Sequence, residues 1–177
     1  MSPSLADLVE YLDGLDGRAP LEELTAQLRR TRIEWDDVAD YVYFSDRQYL
    51  RNLLRAGDWY NMVVLCWKNG QRSPIHDHAG SSCAVKVLRG TATETLFDVA
   101  PNGMVRAVSS RELDAGGVCG SQDSDMHQVS NLQADDADLV TLHIYSPPLY
   151  QMGTYSLTSS TRGIEPMFLE FSEAAGI

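Results

Sequence analysis

Ser73-Pro74-Ile75-His76-Asp77-His78 sets two histidines one residue apart. Read as a β-strand, its side chains alternate faces, so His76 and His78 point the same way and can grip one ion. The two remaining histidines lie further on: His127 alone, and His143 within Thr141-Leu142-His143-Ile144-Tyr145. Imidazole suits first-row transition metals. Any one of the four, taken singly, reads better as an ordinary core or surface histidine. The set reads as a metal site.

Around this stretch, short apolar runs bounded by turn residues predict strands over 62–67, 83–88, 93–97 and 139–145. Lys68-Asn69-Gly70, Arg89-Gly90 and Pro101-Asn102-Gly103 supply turns between them. Upstream, to about Asp40, the pattern is helical. Leu5, Leu8, Val9 and Leu12 recur at helical spacing, as do Leu21, Leu24 and Leu28, with Pro20 standing where a second helix begins. Residues 35–42 suggest a third short helix. Ser45-Asp46-Arg47-Gln48 has the form of a helix capping box that Leu50, Leu53 and Leu54 could continue. The same segment also reads as a strand over 49–54, a turn at Ala56-Gly57-Asp58, and the apolar run to Trp67. We take the strand, which puts Tyr49 and Arg51 on one face. The expectation is a single, mainly β domain over 1–177: helices over 1–44 packed outside, a β-barrel or sandwich over 45–148, and a weakly patterned C-terminal tail over 149–177.

Composition narrows the function classes. With 177 residues, 44% apolar and 22% charged, the chain can bury a proper core and has ordinary globular content. A net charge of −11 argues against nucleic acid or an anionic membrane as partner. No apolar run approaches the ~20 residues of a membrane span, and the N-terminus lacks the basic start of a secretory signal. Cys66, Cys83 and Cys119 are an odd count at irregular spacing, which fits a reducing cytoplasm.

The spacing around the histidines is more specific than a bare pair. Five residues separate Gly70 from His76, six separate Cys83 from Gly90, and Gly116 opens a second stretch in which three residues separate His127 from Asn131. This resembles the two signature motifs of the cupin superfamily, which implies a small double-stranded β-barrel with a metal site at its mouth. The first motif normally carries a glutamate ligand where Cys83 stands here. The second normally has a proline and a glycine where Gln122 and Ser124 stand. The missing carboxylate points to one branch. Arg51, Cys66-Trp67, the stretch from Ser73 to His78, Cys83, Glu94-Thr95-Leu96-Phe97, His127 and His143-Ile144-Tyr145-Ser146-Pro147-Pro148 together resemble the cysteine dioxygenase family, from about Tyr41 to Pro148. Thr141 stands where that family usually has a serine, and the tail beyond Pro148 departs from it.

The resemblance implies a non-haem Fe(II) enzyme that uses O2 to oxidise L-cysteine to cysteine sulfinic acid. It implies His76, His78 and His127 as the iron ligands. Two histidines and a carboxylate leave Fe(II) a net +1, whereas three histidines leave +2. That excess suits a thiolate, whose pKa falls on metal binding from a free value of about 8.5. Arg51 then holds the substrate carboxylate through two parallel hydrogen bonds. From the residues alone it reads more readily as a surface arginine, like Arg29, Arg30 and Arg32. Tyr49, on the same face, is a second candidate contact, although an aromatic on a strand is more often core. Thr141, His143 and Tyr145 share a strand face, and the resemblance gives His143 the task of orienting the Tyr145 hydroxyl toward substrate. It further implies a thioether bond between Cys83 and Tyr145 and a cis peptide at Ser146-Pro147, leaving Cys66 and Cys119 structural. Two alternatives stay open: a dioxygenase for another small thiol acid such as 3-mercaptopropionate, whose relatives tend to carry glutamine in place of Arg51, and a non-catalytic metal-binding cupin. The chain is expected to be a monomer.

Overall fold

The N-terminal leucines form two helices, α1 (Pro3–Asp13) and α2 (Leu21–Arg30), in the computed structural model, which describes residues 1–167 and 169. Ser2 caps α1, its Oγ accepting the Leu5 N–H at 3.3 Å. Leu5, Leu8, Val9 and Leu12 form the buried stripe. α2 carries Glu22 and Glu23 in its first turn and Arg29 and Arg30 in its last, matching the helix dipole at both ends. Lys86 satisfies carbonyls at its C-terminal end: Nζ donates to Leu28 O at 3.1 Å and to Thr31 O. Where a third helix is expected, Trp35–Asp37 and Ala39–Tyr41 form single 3-10 turns. Glu34 and Asp37 cap each other reciprocally across the first and close it after one turn.

Among the described residues eleven strands follow: β1 (Leu50–Gly57), β2 (Tyr60–Trp67), β3 (Ile75–His76), β4 (Ser82–Arg89), β5 (Thr91–Val99), β6 (Val105–Asp114), β7 (Val118–Gln122), β8 (Met126–Ser130), β9 (Leu139–Ser146), β10 (Gln151–Ser156) and β11 (Ser159–Pro166). They form two antiparallel sheets, in the orders β1-β2-β9-β4-β7 and β11-β10-β3-β8-β5-β6. The inner faces of the two sheets pack on each other, as in a jelly roll. Helices cover the outer face of the five-stranded sheet.

This double burial explains why β2 reads as an unbroken apolar run. Met62, Val64 and Cys66 pack under the helices, while Val63, Leu65 and Trp67 face the other sheet. β9 divides the same way. Val140, Leu142 and Ile144 point to the helices; Leu139 and Tyr145 point inward, and alternation carries Thr141 and His143 with them. Between β4 and β5, Gly90 has φ +82, and a Cβ there would come within 2.7 Å of Asp138 O, so only glycine fits the turn.

The C-terminal boundary differs from the sequence reading. β10 and β11 carry the six-stranded sheet past residue 148, where a tail is expected. β11 is exposed at nearly every position and β10 is short, so neither shows the apolar alternation of a half-buried strand. The mostly exposed β6 is illegible for the same reason. Among the described residues, no helix is long and apolar enough to cross a membrane.

Candidate metal centre and substrate pocket

His76 on β3 and His127 on β8 are direct cross-strand partners, with their Nε2 atoms 3.3 Å apart. His78 arrives by a different route from the one expected. β3 ends at His76, and the His78 backbone N–H donates to Asp123 O at 2.9 Å as the chain turns through Ala79 at φ +45. A turn, rather than strand pleating over 76–78, brings His78 to its neighbours. The potential ligand atoms of the three residues all lie within 4.8 Å of one another, and all three side chains are buried.

Hydrogen bonding decides which nitrogens are bare. His76 Nδ1 lies 3.0 Å from Pro74 O, which can only accept, so Nδ1 carries the proton. His127 Nδ1 lies 2.9 Å from Glu94 Oε1 and is protonated on the same argument. In the neutral rings both Nε2 atoms then turn lone pairs toward each other across 3.3 Å, which is repulsive unless a cation lies between them. His78 Nδ1 is buried with no hydrogen-bond partner among the described residues. Burial, reinforced by the neighbouring His127, pushes His76 down to about 3 and His78 well below the usual imidazole range. They stay neutral at physiological pH, the form that ligates a metal. These donors fit a metal ion, and among the described residues no carboxylate joins them.

Glu94 stands behind the cluster. Its Oε1 accepts from His127 and its Oε2 accepts from Arg111 at 2.6–2.7 Å. Burial raises the Glu94 carboxyl, but these bonds more than offset it and hold the group below its usual range. The sequence reading includes Glu94 in a motif without giving it a task. A lone acid at an inward position of β5, beside Ala92, is the signal available. Asp77, between the two ligand candidates, points away from them. It accepts from Gly153 N at 2.9 Å, Tyr155 Oη at 2.7 Å and Arg162 Nη2 at 2.6 Å.

The inner face of the five-stranded sheet supplies the other candidates. Arg51 Nη2 donates to Tyr49 Oη, the guanidinium carbon sits 4.7 Å from the Tyr49 ring centroid, and Tyr49 stacks on Trp67 at 4.0 Å. Trp67 begins a directed relay. Its Nε1–H donates to Thr141 Oγ1 at 3.0 Å, so the Thr141 proton is directed to His143 Nε2, also at 3.0 Å. His143 Nδ1–H then donates to Tyr145 Oη at 3.2 Å, which leaves the Tyr145 proton free to point elsewhere. Burial first, then Cys83, raises the Tyr145 phenol well above its usual range. Cys83 lies directly opposite Tyr145 across β4 and β9, and its thiol is likewise raised by burial. The Ser146–Pro147 peptide is cis.

Arg51, Tyr49, His76, His143 and Tyr145 line one narrow cavity of about 10 Å³, with Met152 and other apolar side chains completing its wall. Tyr49 and Arg51 also line an outer cleft of about 570 Å³, so they stand between it and the histidines. Cys66 and Cys119 lie outside both cavity walls, with thiols raised by burial to about 11 and about 12.

Comparison with known proteins gives one consistent result. The family described as cysteine dioxygenase type I matches residues 4–158. Human cysteine dioxygenase type 1 is 36% identical over 152 residues, covering 82% of this chain and 75% of that protein. The zebrafish (Danio rerio) protein of the same name is 30% identical over 159 residues, covering 86% and 79%. Among solved structures, a Klebsiella pneumoniae protein with a double-stranded β-helix domain superposes with a TM-score of 0.51 at 19% identity, covering 77% of this chain and 92% of that one. That last likeness concerns the fold alone.

Proposed function

Because this chain belongs to the cysteine dioxygenase type I family, we propose that it oxidises L-cysteine to cysteine sulfinic acid with O2, at an Fe(II) held by His76, His78 and His127. The observation that carries the metal reading is the facing pair of bare Nε2 atoms in a buried cluster that no carboxylate joins among the described residues. Iron bound by three neutral ligands retains its +2 charge and supplies a site at which a thiolate and dioxygen can meet.

The chain's own residues position the substrate. Arg51 presents a guanidinium to the α-carboxylate, where two parallel hydrogen bonds fix orientation. Tyr145 Oη, already accepting from His143 Nδ1–H, keeps its own O–H to donate to a substrate anion. Leu65, Leu149 and Met152 line the cavity and exclude water, which strengthens these polar contacts. Cys83 and Tyr145, opposed on adjacent strands, support a thioether bond between Sγ and the phenol ring. Its formation removes one S–H and one ring C–H hydrogen, with dioxygen as the oxidant.

The test is oxygen uptake by iron-loaded protein, with sulfinate quantified. We expect one O2 consumed per L-cysteine and little turnover of cysteamine. Uptake with 3-mercaptopropionate exceeding that with L-cysteine would reassign the substrate. No uptake with any small thiol would leave a metal-binding cupin.

A further inference from the structure

β11 carries a side chain that reaches from outside the family match to the residue between two of the candidate ligands. The match ends at residue 158, yet Arg162 Nη2 donates to Asp77 Oδ2 at 2.6 Å. Asp77 lies between His76 and His78 and is 2% exposed. Its carboxylate gathers four donors: Arg162, Tyr155 Oη, and the backbone N–H groups of Gly153 and Ala79, the last at 3.2 Å. The Asp77 N–H in turn donates to Gly153 O at 3.0 Å. A Cβ on Gly153 would collide with both Asp77 Oδ2 and the Arg162 guanidinium, so glycine is needed for this approach.

The backbone makes the same connection. β3 has only two residues, too few to hold a register alone, and it lies between β8 and β10. On one side His76 pairs with His127; on the other it pairs with Thr154, and Ile75 pairs with Tyr155. His78, already outside any strand, depends on the turn that Asp77 anchors. Just past the end of β3, the Asp77 side chain turns to the hairpin while His76 faces the cluster.

We propose that the β10–β11 hairpin clamps the metal site: Arg162 and Tyr155 act through Asp77 as positioning residues that hold His76 and His78 in ligating geometry before metal arrives. The inference rests on the assignment of those histidines as ligands. It gives a metal-directed task to a hairpin whose second strand lies beyond the matched region, and it concerns affinity for the ion rather than contact with substrate.

The test compares Arg162→Gln, Arg162→Lys and Tyr155→Phe with the parent chain. Anaerobic Fe(II) affinity is measured by chelator competition, and thermal unfolding is followed for the metal-free proteins. Arg162 is half-exposed and Asp77 keeps its three other donors, so the carboxylate stays hydrogen-bonded when Arg162 is replaced. We expect Arg162→Gln to weaken iron binding by about tenfold or more, within the range found when partners behind metal ligands are removed. Arg162→Lys should recover most of that loss, and the metal-free unfolding midpoint should barely move. Tyr155→Phe should weaken iron binding with Arg162 still in place. His127→Ala, run in parallel, reports on the ligand assignment itself. Parent-like iron affinity in Arg162→Gln and Tyr155→Phe beside a defective His127→Ala overturns the clamp alone. A loss that only tracks destabilisation of the metal-free protein, without rescue by lysine, also overturns it. Iron retained in full by His127→Ala overturns the ligand assignment.

Discussion

Replacing Glu94 with glutamine preserves shape and removes one buried charge, which isolates what the carboxylate does for His127. Glu94 is 1% exposed, and its two oxygens serve two donors: His127 Nδ1 at 2.9 Å and the Arg111 guanidinium at 2.6–2.7 Å. A glutamine has one carbonyl oxygen, so it can accept from His127 or from Arg111, and its amide then turns N–H groups toward the other. Each charge-assisted bond is worth about 1.5–3 kcal/mol. Arg111 is half-exposed and can turn to water, so the loss on that side is discounted. The His127 side has no such outlet. Removing the acceptor behind a ligating histidine lowers metal affinity by about 10–100-fold, equivalent to about 1.4–2.8 kcal/mol and consistent with the loss of one such bond. Fe(II) affinity by anaerobic chelator competition is the assay, with folding checked by circular dichroism. We expect Glu94→Gln to fall in that range and Arg111→Gln to lose much less. A folded Glu94→Gln protein that binds iron within about twofold of the parent would refute the reasoning, because the deleted charge would then have no bearing on the ring it contacts.

Two further outcomes follow from the pocket. Arg51→Ala should raise KM for L-cysteine by about 30-fold to several-thousand-fold, the equivalent of losing a partly desolvated charged pair at roughly 2–5 kcal/mol, and equal turnover of cysteamine and L-cysteine by the parent would sink this role. Incubation with iron, L-cysteine and air should lower the intact mass by about two units through joining Cys83 to Tyr145, a shift that Cys83→Ala loses while keeping some activity. A highly active population wholly at the unmodified mass would show that the pair is neighbouring core.

The legible parts of the fold were those in which burial writes a period into the sequence. α1 and α2 show their leucine stripes, and β2 and β9 show runs that both layers of core require. Polar residues at 141, 143 and 145 stand out because an otherwise apolar strand places them on one face. β6 and β11 lie exposed at the two edges of one sheet, where composition is nearly unconstrained, so they left no such trace. The candidate ligands were legible as residue types, but the route that gathers them was not. His78 depends on a turn tied to Asp123, 45 residues away in sequence, and His76 depends on a two-residue strand backed by β10. Glu94 and Asp77 escaped a functional reading because a single buried acid acquires its meaning from the donors around it, and those come from other strands.

The placement of these two acids bears on why Cys83 can stand where a ligating glutamate is usual. Glu94 and Asp77 both lie behind the histidines, and each meets an arginine that enters from the solvent side, Arg111 and Arg162, with side chains 53% and 52% exposed. Each pair is neutral as a unit, so in the proposed site the carboxylates would orient the histidines without delivering net negative charge to an ion. A carboxylate in contact with the ion would act differently. Two unit charges 4 Å apart interact by about 4 kcal/mol at an effective dielectric constant of 20. An acid ligand would therefore oppose an incoming thiolate by about that much, offsetting part of the attraction exerted by a divalent ion. With cysteine at position 83 and the acids held one layer back, the proposed site would combine well-held histidines with the full charge of a divalent ion, a combination suited to an anionic sulfur ligand.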